Sequence, residues 1–181
     1  MKEMEVKVLK IDPQAIEKKL IQLGAKKVKE ENQLNKIYDT EDGYLEKSSK
    51  GYARIRVIED LINQRTQAYL TVKKNQSKEG LRTNIEHQIS IPDQQAMALI
   101  LEDLGYVLKH SGQKHRLSYQ IDEMLFEIDT WDQGTYPEPY LEIEVTQSQD
   151  LNRALKLLGL NPDQVTTKSI QEIKSEREAR E

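Results

Sequence analysis

The sequence predicts an α+β domain, an eight-stranded and mainly antiparallel β-barrel with a polar, charged interior and helices packed on its outside. Short segments alternate apolar and polar residues, which is typical of strands. Several of these segments adjoin along the chain, which favours antiparallel pairing. Like charges share one face of most of them, so the sheet has a charged side and an apolar side.

Local signals place the elements in order along the chain. The first strand is predicted at residues 2–10, and Asp12-Pro13 then begins a helix that ends at Gly24. Further strands are predicted at residues 36–40, 52–59, 68–74, 83–91, 123–130 and 140–146, and another carries Lys114 and Arg116. Further helices are predicted before Leu104-Gly105, at residues 151–158 and after residue 167.

An internal similarity occurs at an offset of 81 residues. The matched residues are Glu5 and Glu86, Leu20 and Leu101, Leu23-Gly24 and Leu104-Gly105, and Tyr38 and Tyr119. Both segments run strand, helix, Leu-Gly, strand. This similarity indicates two alike halves that face each other.

The composition favours one ordered domain that carries surplus charge. The 181 residues suit a single domain over residues 1–181, of which 166–181 form a C-terminal helix or tail. Hydrophobic residues make up 36% of the chain, against about 45–50% in ordinary globular proteins. Because apolar residues still recur with strict periodicity, the charge is expected on an ordered scaffold rather than in a disordered chain.

Charge and cysteine content exclude several classes of function. The net charge of −4 argues against a general nucleic-acid binder, which would carry a basic excess. The absence of cysteine excludes disulfides, Cys–Zn sites and thiol nucleophiles. No run reaches the ~20 apolar residues of a membrane span. We therefore expect a cytoplasmic protein with neither nucleic-acid nor membrane partners.

Charged residues at alternate strand positions share one face of their strand. The acidic pairs are Glu3 and Glu5, Glu127 and Asp129, and Glu142 and Glu144, and the basic residues are Lys7, Arg54, Arg56, Lys73, Lys114 and Arg116. A solvated face would explain this pattern in any single strand. It explains the set less well, because neighbouring like charges repel unless a counter-ion lies between them. We therefore expect these faces to line the barrel interior.

Two kinds of ligand suit a tunnel with such walls. The acidic pairs supply the hard oxygen ligands that Mg²⁺ or Mn²⁺ prefers. The basic residues can neutralise phosphate oxygens, the arginines in a bidentate manner. The residues thus predict a polyphosphate bound beside divalent metal ions.

The order of these motifs resembles that of the CYTH superfamily, the triphosphate tunnel metalloenzymes. Glu3-Met4-Glu5-Val6-Lys7 resembles its Glu-x-Glu-x-Lys signature. The matching motifs that follow are Ala53-Arg54-Ile55-Arg56, Leu70-Thr71-Val72-Lys73, Lys114-His115-Arg116, Phe126-Glu127-Ile128-Asp129 and Tyr140-Leu141-Glu142-Ile143-Glu144. One departure is Gln88, which stands where members often carry a second carboxylate after the one matched by Glu86.

The resemblance implies a triphosphate tunnel and assigns its site residues. The implied metal ligands are Glu3, Glu5, Glu142, Glu144 and Asp129, to which the pattern of acidic pairs adds Glu127. The implied triphosphate path is lined by Lys7, Arg54, Arg56, Lys73, Lys114 and Arg116. Catalysis is then expected to depend on Glu3, Glu5, Lys7, Arg56 and Arg116.

The shared motifs leave the reaction open. Asp129-Thr130-Trp131 resembles the bacterial class IV adenylate cyclase branch, which favours conversion of ATP to cyclic AMP and pyrophosphate. The alternative is a hydrolase acting on thiamine triphosphate or inorganic tripolyphosphate. A third candidate, of another class, is a non-catalytic module that binds polyphosphate or nucleotide.

Three further interpretations concern the surface and the tunnel ends. Trp131 is either a platform that stacks on an adenine or thiamine ring or an ordinary core anchor. The C-terminal helix is either solvated or closes one mouth of the tunnel. Outward-facing apolar strands that three helices leave uncovered would favour a homodimer.

Overall fold

The computed structural model describes residues 2–75 and 82–178, and all their side chains except those of residues 2–4, 82, 83, 148, 177 and 178. The described elements are β1 (Lys2–Leu9), α1 (Pro13–Gln22), β2 (Lys26–Thr40), α2 (Tyr44–Ser49), β3 (Tyr52–Asp60), β4 (Arg65–Asn75), β5 (Arg82–Ile91), α3 (Gln94–Asp103), β6 (Tyr106–Ile121), β7 (Met124–Trp131), β8 (Tyr140–Val145), α4 (Ser148–Leu158), β9 (Val165–Thr166) and α5 (Ile170–Glu178). The predicted α+β class is confirmed.

Eight of the strands form one antiparallel ring. Their order is β5-β4-β3-β2-β6-β7-β8-β1, and β1 pairs in turn with β5, from Lys2 opposite Ile85 to Glu5 opposite Arg82. Every strand pairing among the described residues is antiparallel. The predicted eight-stranded barrel is therefore confirmed. The ninth strand, β9, was not predicted; it pairs with Lys7 and Val8 of β1.

The apolar faces of the strands point outward and are covered by helices. Val6, Val8, Phe126, Leu141 and Ile143 pack with α1 and α4 in one core cluster. Tyr38, Ala53, Ile55 and Ile91 form a second cluster with residues of α2 and α3. Burying one large apolar side chain stabilises the fold by about 1.5–3 kcal/mol. The two clusters outside the barrel therefore stabilise a ring whose interior is polar.

The strands β2 and β6 are much longer than the sequence predicts. They have 15 and 16 residues and pair with each other from Lys26 opposite Gln120 to Thr40 opposite Tyr106. The first residues of β2 are mostly exposed and polar on both faces, so they lack the alternation that marks a strand. Cross-strand hydrogen bonds to β6, rather than local sequence, extend this strand.

The short helix α2 was not predicted because its N-terminus is capped from a distance. Asp39 lies buried at the end of β2, and its carboxylate accepts the backbone N–H groups of Leu45 and Glu46 at 2.9 and 3.0 Å. Thr40 Oγ1 accepts the N–H of Tyr44 at 2.9 Å. Helix caps recognised from sequence lie next to the first turn, whereas Asp39 precedes it across a loop.

The two halves that the 81-residue offset indicated are present in the structure. Helices α1 and α3 each have ten residues and begin after Asp12 and Asp93, whose carboxylates cap them in the same way. Both helices are followed by a glycine with positive φ, Gly24 at 76° and Gly105 at 84°. The equivalent strands also pair with each other, β1 with β5 and β2 with β6. The first strand of each half also pairs with the last strand of the other half, β1 with β8 and β5 with β4, so the two halves close the ring together.

Removal of either helix cap should lower stability by a similar amount. We expect Asp12→Ala and Asp93→Ala each to reduce the free energy of unfolding by about 0.5–2 kcal/mol, because each leaves two backbone N–H groups without an acceptor. Urea unfolding followed by circular dichroism measures this. Asp103→Ala, at the opposite end of α3, is the control and should cost nothing, since a negative charge there opposes the helix dipole.

Two features of the helices bear on partners. Leu99, Ile100 and Leu104 remain exposed on or just after α3, and the predicted homodimer stays a prediction. Among the described helices, none is both long and apolar enough to cross a membrane.

Candidate active site

The ring encloses a cavity of about 1030 Å³. Its lining includes all six predicted basic residues, namely Lys7, Arg54, Arg56, Lys73, Lys114 and Arg116. It also includes the carboxylates of Glu5, Glu86, Glu127, Glu142 and Glu144. The charged strand faces therefore point inward.

The charges are distributed unequally around the ring. The neighbouring strands β3 and β4 carry Arg54, Arg56 and Lys73, and the neighbouring strands β7 and β8 carry the carboxylates of Glu127, Asp129, Glu142 and Glu144. The seams between these walls are β1 with β5 and β2 with β6. A bound anion can thus contact cations on one side while metal ions are held on the other.

Three glutamates converge where β1 pairs with β8. The carboxylates of Glu5, Glu142 and Glu144 each offer an oxygen within 4.8 Å of the others. Glu5 and Glu142 are buried, and Asn84 Nδ2 donates to Glu5 Oε1 at 3.1 Å. Clustered carboxylate oxygens fit the hard-ligand preference of Mg²⁺ and Mn²⁺. These three residues would hold such an ion.

The other predicted metal ligands are not in this group. The side chain of Glu3 lies outside the described residues. Asp129 is completely buried and accepts from Lys114 and Arg116, and Glu127 accepts from Ser118 Oγ at 3.0 Å and pairs with Arg116. In the described structure both carboxylates anchor tunnel cations, and their assignment as metal ligands stays a prediction.

Glu142 joins the metal cluster to the cations. Its Oε1 lies 2.7 Å from Lys7 Nζ and its Oε2 lies 2.8 Å from Arg116 Nη2. Burial alone would raise the pKa of the Glu142 carboxyl, but Lys7, Arg116 and Lys114 outweigh it and hold that pKa well below its usual range. Glu142 is therefore an anion that can serve as a metal ligand.

Arg116 and Lys114 share the buried carboxylate of Asp129. Arg116 donates to both Asp129 oxygens at 2.6 Å, and Lys114 Nζ donates to Oδ2 at 2.9 Å. Burial acts against the charge of Arg116, yet Asp129 and Glu127 raise its pKa well above the ordinary value. Burial and then the charge of Arg116 lower the pKa of Lys114 to about 8. An added anion would favour the charged form of Lys114.

On the basic wall, Lys73 and Arg54 share Glu86. Lys73 Nζ lies 2.8 Å from Glu86 Oε1, and Arg54 Nη2 lies 3.8 Å from Oε2. Burial opposes the charge of Lys73, but Tyr52, Glu5 and Glu86 raise its pKa above the ordinary value. Gln88, the departure from the family pattern, accepts from Thr71 Oγ1 at 3.0 Å and adds no charge here.

Arg56 differs from the other five cations. Its Nε donates to the carboxamide oxygen of Asn35 at 2.7 Å, and it forms no ion pair with any side chain described in residues 2–75 and 82–178. Burial, and then the nearby charges of Arg54 and Arg116, lower the pKa of Arg56 to about 10. A cation repelled by its neighbours in this way would gain from an anionic ligand.

One end of the cavity is aromatic and is bordered by α5. The indole N–H of Trp131 donates to the Tyr140 hydroxyl at 3.0 Å, and Lys114 Nζ lies 5.2 Å from the Trp131 ring centre. Ser169 to Glu172 line the cavity with other residues of α5. Lys174 Nζ donates to the Gly134 carbonyl at 3.0 Å, which ties α5 to the loop after β7. The C-terminal helix therefore lies at the cavity and is not wholly solvated.

Stability does not account for so many internal charges. Replacing a buried ion pair by well-packed apolar residues is often neutral or stabilising, because the ions lose their hydration. A barrel of this size could be filled with aliphatic side chains. The charged interior is therefore best explained by a ligand.

Sequence comparison now gives the family. The family model for the CYTH domain matches residues 1–170. The chain belongs to the CYTH family. Proteins of this family are generally metal-dependent enzymes that act on triphosphates, which agrees with the charges of the CYTH tunnel described above. No curated protein sequence matches this CYTH chain significantly.

Solved structures confirm the fold of this CYTH protein. The PH1012 protein from Pyrococcus horikoshii OT3 is 24% identical with a TM-score of 0.76, covering 94% of this chain and 98% of that chain. A candidate adenylate cyclase from Vibrio parahaemolyticus is 17% identical with a TM-score of 0.72, covering 96% and 97%. HpAC1 from Hippeastrum, described with a dominant triphosphatase activity, is 20% identical with a TM-score of 0.65, covering 88% and 88%. At these identities the likeness establishes the fold alone.

Several tunnel residues were missed by sequence reasoning. Gln33 and Asn35 line the cavity, and Asn84 donates to Glu5, but all three are uncharged and so fall outside the pattern of paired like charges. The 81-residue offset could have found two of them, because it pairs Gln33 with Lys114 and Asn35 with Arg116.

Proposed function

We propose that this CYTH protein is a divalent-metal-dependent enzyme that acts on a triphosphate inside its tunnel. The observation that carries the proposal is the environment of Arg56. This cation lies in the cavity, has no carboxylate partner among the described residues and is repelled by Arg54 and Arg116. Such an arrangement is costly in an empty tunnel and favourable with a polyanion present. The glutamate cluster supports the metal requirement.

Each wall has a separate task in the proposed reaction. Phosphoryl and nucleotidyl transfer need positioning and charge stabilisation more than covalent catalysis. Arg54, Arg56 and Lys73 hold the phosphates on the basic wall, and Arg116, fixed by Asp129, reaches them from β6. Mg²⁺ or Mn²⁺, when bound by Glu5, Glu142 and Glu144, supplies further neutralisation of charge on phosphate oxygens.

Class IV adenylate cyclase activity is the lead candidate for the reaction. Attack by the ribose 3′-hydroxyl of ATP on the α-phosphorus gives cyclic AMP and pyrophosphate. The aromatic end of the cavity, with Trp131 beside Lys114, supports a substrate that carries an organic ring next to its phosphates. The likeness to the Vibrio parahaemolyticus protein points the same way.

Triphosphate hydrolysis is the alternative. Attack by water on the γ-phosphorus of thiamine triphosphate or tripolyphosphate would use the same cations and the same metal cluster. The dominant triphosphatase activity of HpAC1, a protein of the same fold, favours this alternative.

A substrate panel tests both reactions. ATP, GTP, thiamine triphosphate and tripolyphosphate are incubated with the protein and Mg²⁺ or Mn²⁺, and cyclic nucleotide, pyrophosphate and phosphate are measured. We expect cyclic AMP and pyrophosphate from ATP, and no product when EDTA removes the metal. Release of phosphate from tripolyphosphate or thiamine triphosphate without cyclic AMP would replace the cyclase by the hydrolase. Tight binding with no turnover on any substrate would leave only the non-catalytic module.

A further inference from the structure

Asn35 is a buried polar residue on the inner face of β2. Only 1% of it is exposed, and it lines the cavity among the charged residues. The strand register places it opposite Arg56 on β3 and opposite Gly112 on β6. Its one cross-strand neighbour with a side chain is therefore the cation that lacks an ion pair.

The Asn35 side chain makes one hydrogen bond among the described residues, and that bond is to Arg56. Arg56 Nε donates to Asn35 Oδ1 at 2.7 Å, a short and favourable distance. The bond holds the planar guanidinium through its Nε atom. The two terminal amino groups of Arg56 remain available to other acceptors. A guanidinium fixed in this way loses less conformational freedom when it binds phosphate.

Fold stability does not explain an asparagine at this position. Asn35 Nδ2 is buried and has no hydrogen-bond partner within the described part of the chain. Burying an amide donor without a partner disfavours the folded state. An apolar side chain would avoid this penalty but would leave Arg56 Nε without its acceptor, so the contribution of Asn35 lies in its oxygen.

The second half of the protein shows what a carboxylate does in a comparable pair. The 81-residue offset matches Asn35 with Arg116, and Arg116 lies opposite Asp129 just as Asn35 lies opposite Arg56. In one half an arginine faces a carboxylate, and in the other half an arginine faces a carboxamide. The carboxylate binds and neutralises its arginine at 2.6 Å, whereas the carboxamide binds without neutralising.

We propose that Asn35 is a positioning residue that orients Arg56 for the triphosphate while leaving its positive charge uncompensated. This inference rests on the proposed function, because it needs an anionic ligand in the tunnel. An aspartate at position 35 would keep the orientation of Arg56 and neutralise its positive charge. An alanine at position 35 would leave the charge of Arg56 uncompensated but would no longer orient its guanidinium.

The first test changes the charge of this residue and little else. Binding of inorganic tripolyphosphate to wild-type protein, Asn35→Asp and the control Asn152→Asp is measured by calorimetry, in EDTA and with Ca²⁺. Asn152 is exposed on α4 and matches the change in net charge. We expect Asn35→Asp to weaken binding at least ~10-fold, with no fall in Tm, and Asn152→Asp to bind as the wild type does.

The second test asks whether Asn35 acts through Arg56. Asn35→Ala should weaken tripolyphosphate binding about 5-fold in the wild type and less than about 2-fold in an Arg56→Ala background. Equal losses in both backgrounds, or unchanged binding by Asn35→Asp, would overturn the inference while leaving the proposed function intact. Failure of the wild-type protein to bind tripolyphosphate both in EDTA and with Ca²⁺ would overturn the proposed function, and the inference with it.

Discussion

Glu5→Gln should reduce metal-dependent turnover of the triphosphate substrate at least ~10²-fold, about 2.7 kcal/mol of transition-state stabilisation. Glu5 contributes one of the three oxygens that converge within 4.8 Å, together with Glu142 and Glu144. Glutamine has the same shape but no charge, and its amide is a poorer ligand for a hard cation. The apparent affinity for Mn²⁺, measured by calorimetry, should fall at least ~10-fold.

The Glu5→Gln protein should remain folded, which makes the test specific. Lys7 keeps its 2.7 Å pair with Glu142, and Lys73 keeps its 2.8 Å pair with Glu86. Neither neighbouring cation is therefore left without a carboxylate. Glu123→Gln, at an exposed turn, is the matched control and should retain both turnover and metal affinity. If Glu5→Gln kept normal Mn²⁺ affinity and normal turnover, the metal site would be misassigned.

The inward-facing charges could be predicted from the sequence because a strand has a fixed period. Alternation places Arg54 with Arg56 and Glu142 with Glu144 on the face opposite their apolar neighbours, wherever the strand lies in the fold. Neighbouring like charges on several strands then favour an interior ligand over a solvated face. The strand period holds whichever strands pair, and all six predicted cations line the cavity.

The division of labour among the carboxylates could not be predicted in this way. Whether a carboxylate meets a metal or a cation depends on its cross-strand neighbours. Asp129 lies opposite Arg116, and Glu144 lies opposite Glu5. The register of β1 with β8 joins strands distant in sequence, and that of β6 with β7 is set by the turn between them, so no pattern along one strand reveals either. Asn35 was missed for a related reason, since pairing with β6 extends β2 well beyond the predicted segment.

Arg56→Ala should also lower turnover at least ~10²-fold, through loss of charge stabilisation on the phosphates. Arg56 is the tunnel cation that has no carboxylate partner among the described residues. Its positive charge is therefore fully available to a bound phosphate. Arg56→Lys should be intermediate, because it keeps the charge and loses the bidentate geometry. Steady-state rates and tripolyphosphate affinity are measured for both variants, with exposed Arg153→Ala as the control.

Arg56→Ala should change fold stability little while activity falls, and this separates a ligand-binding residue from a structural one. The charges of Arg54 and Arg116 act against Arg56, so its removal relieves repulsion inside the empty tunnel. It also leaves Asn35 Oδ1 without its donor, which offsets part of that gain. We therefore expect the free energy of unfolding of Arg56→Ala to stay within about 1 kcal/mol of the wild type. A large loss of stability with normal turnover would show that Arg56 supports the barrel rather than the reaction.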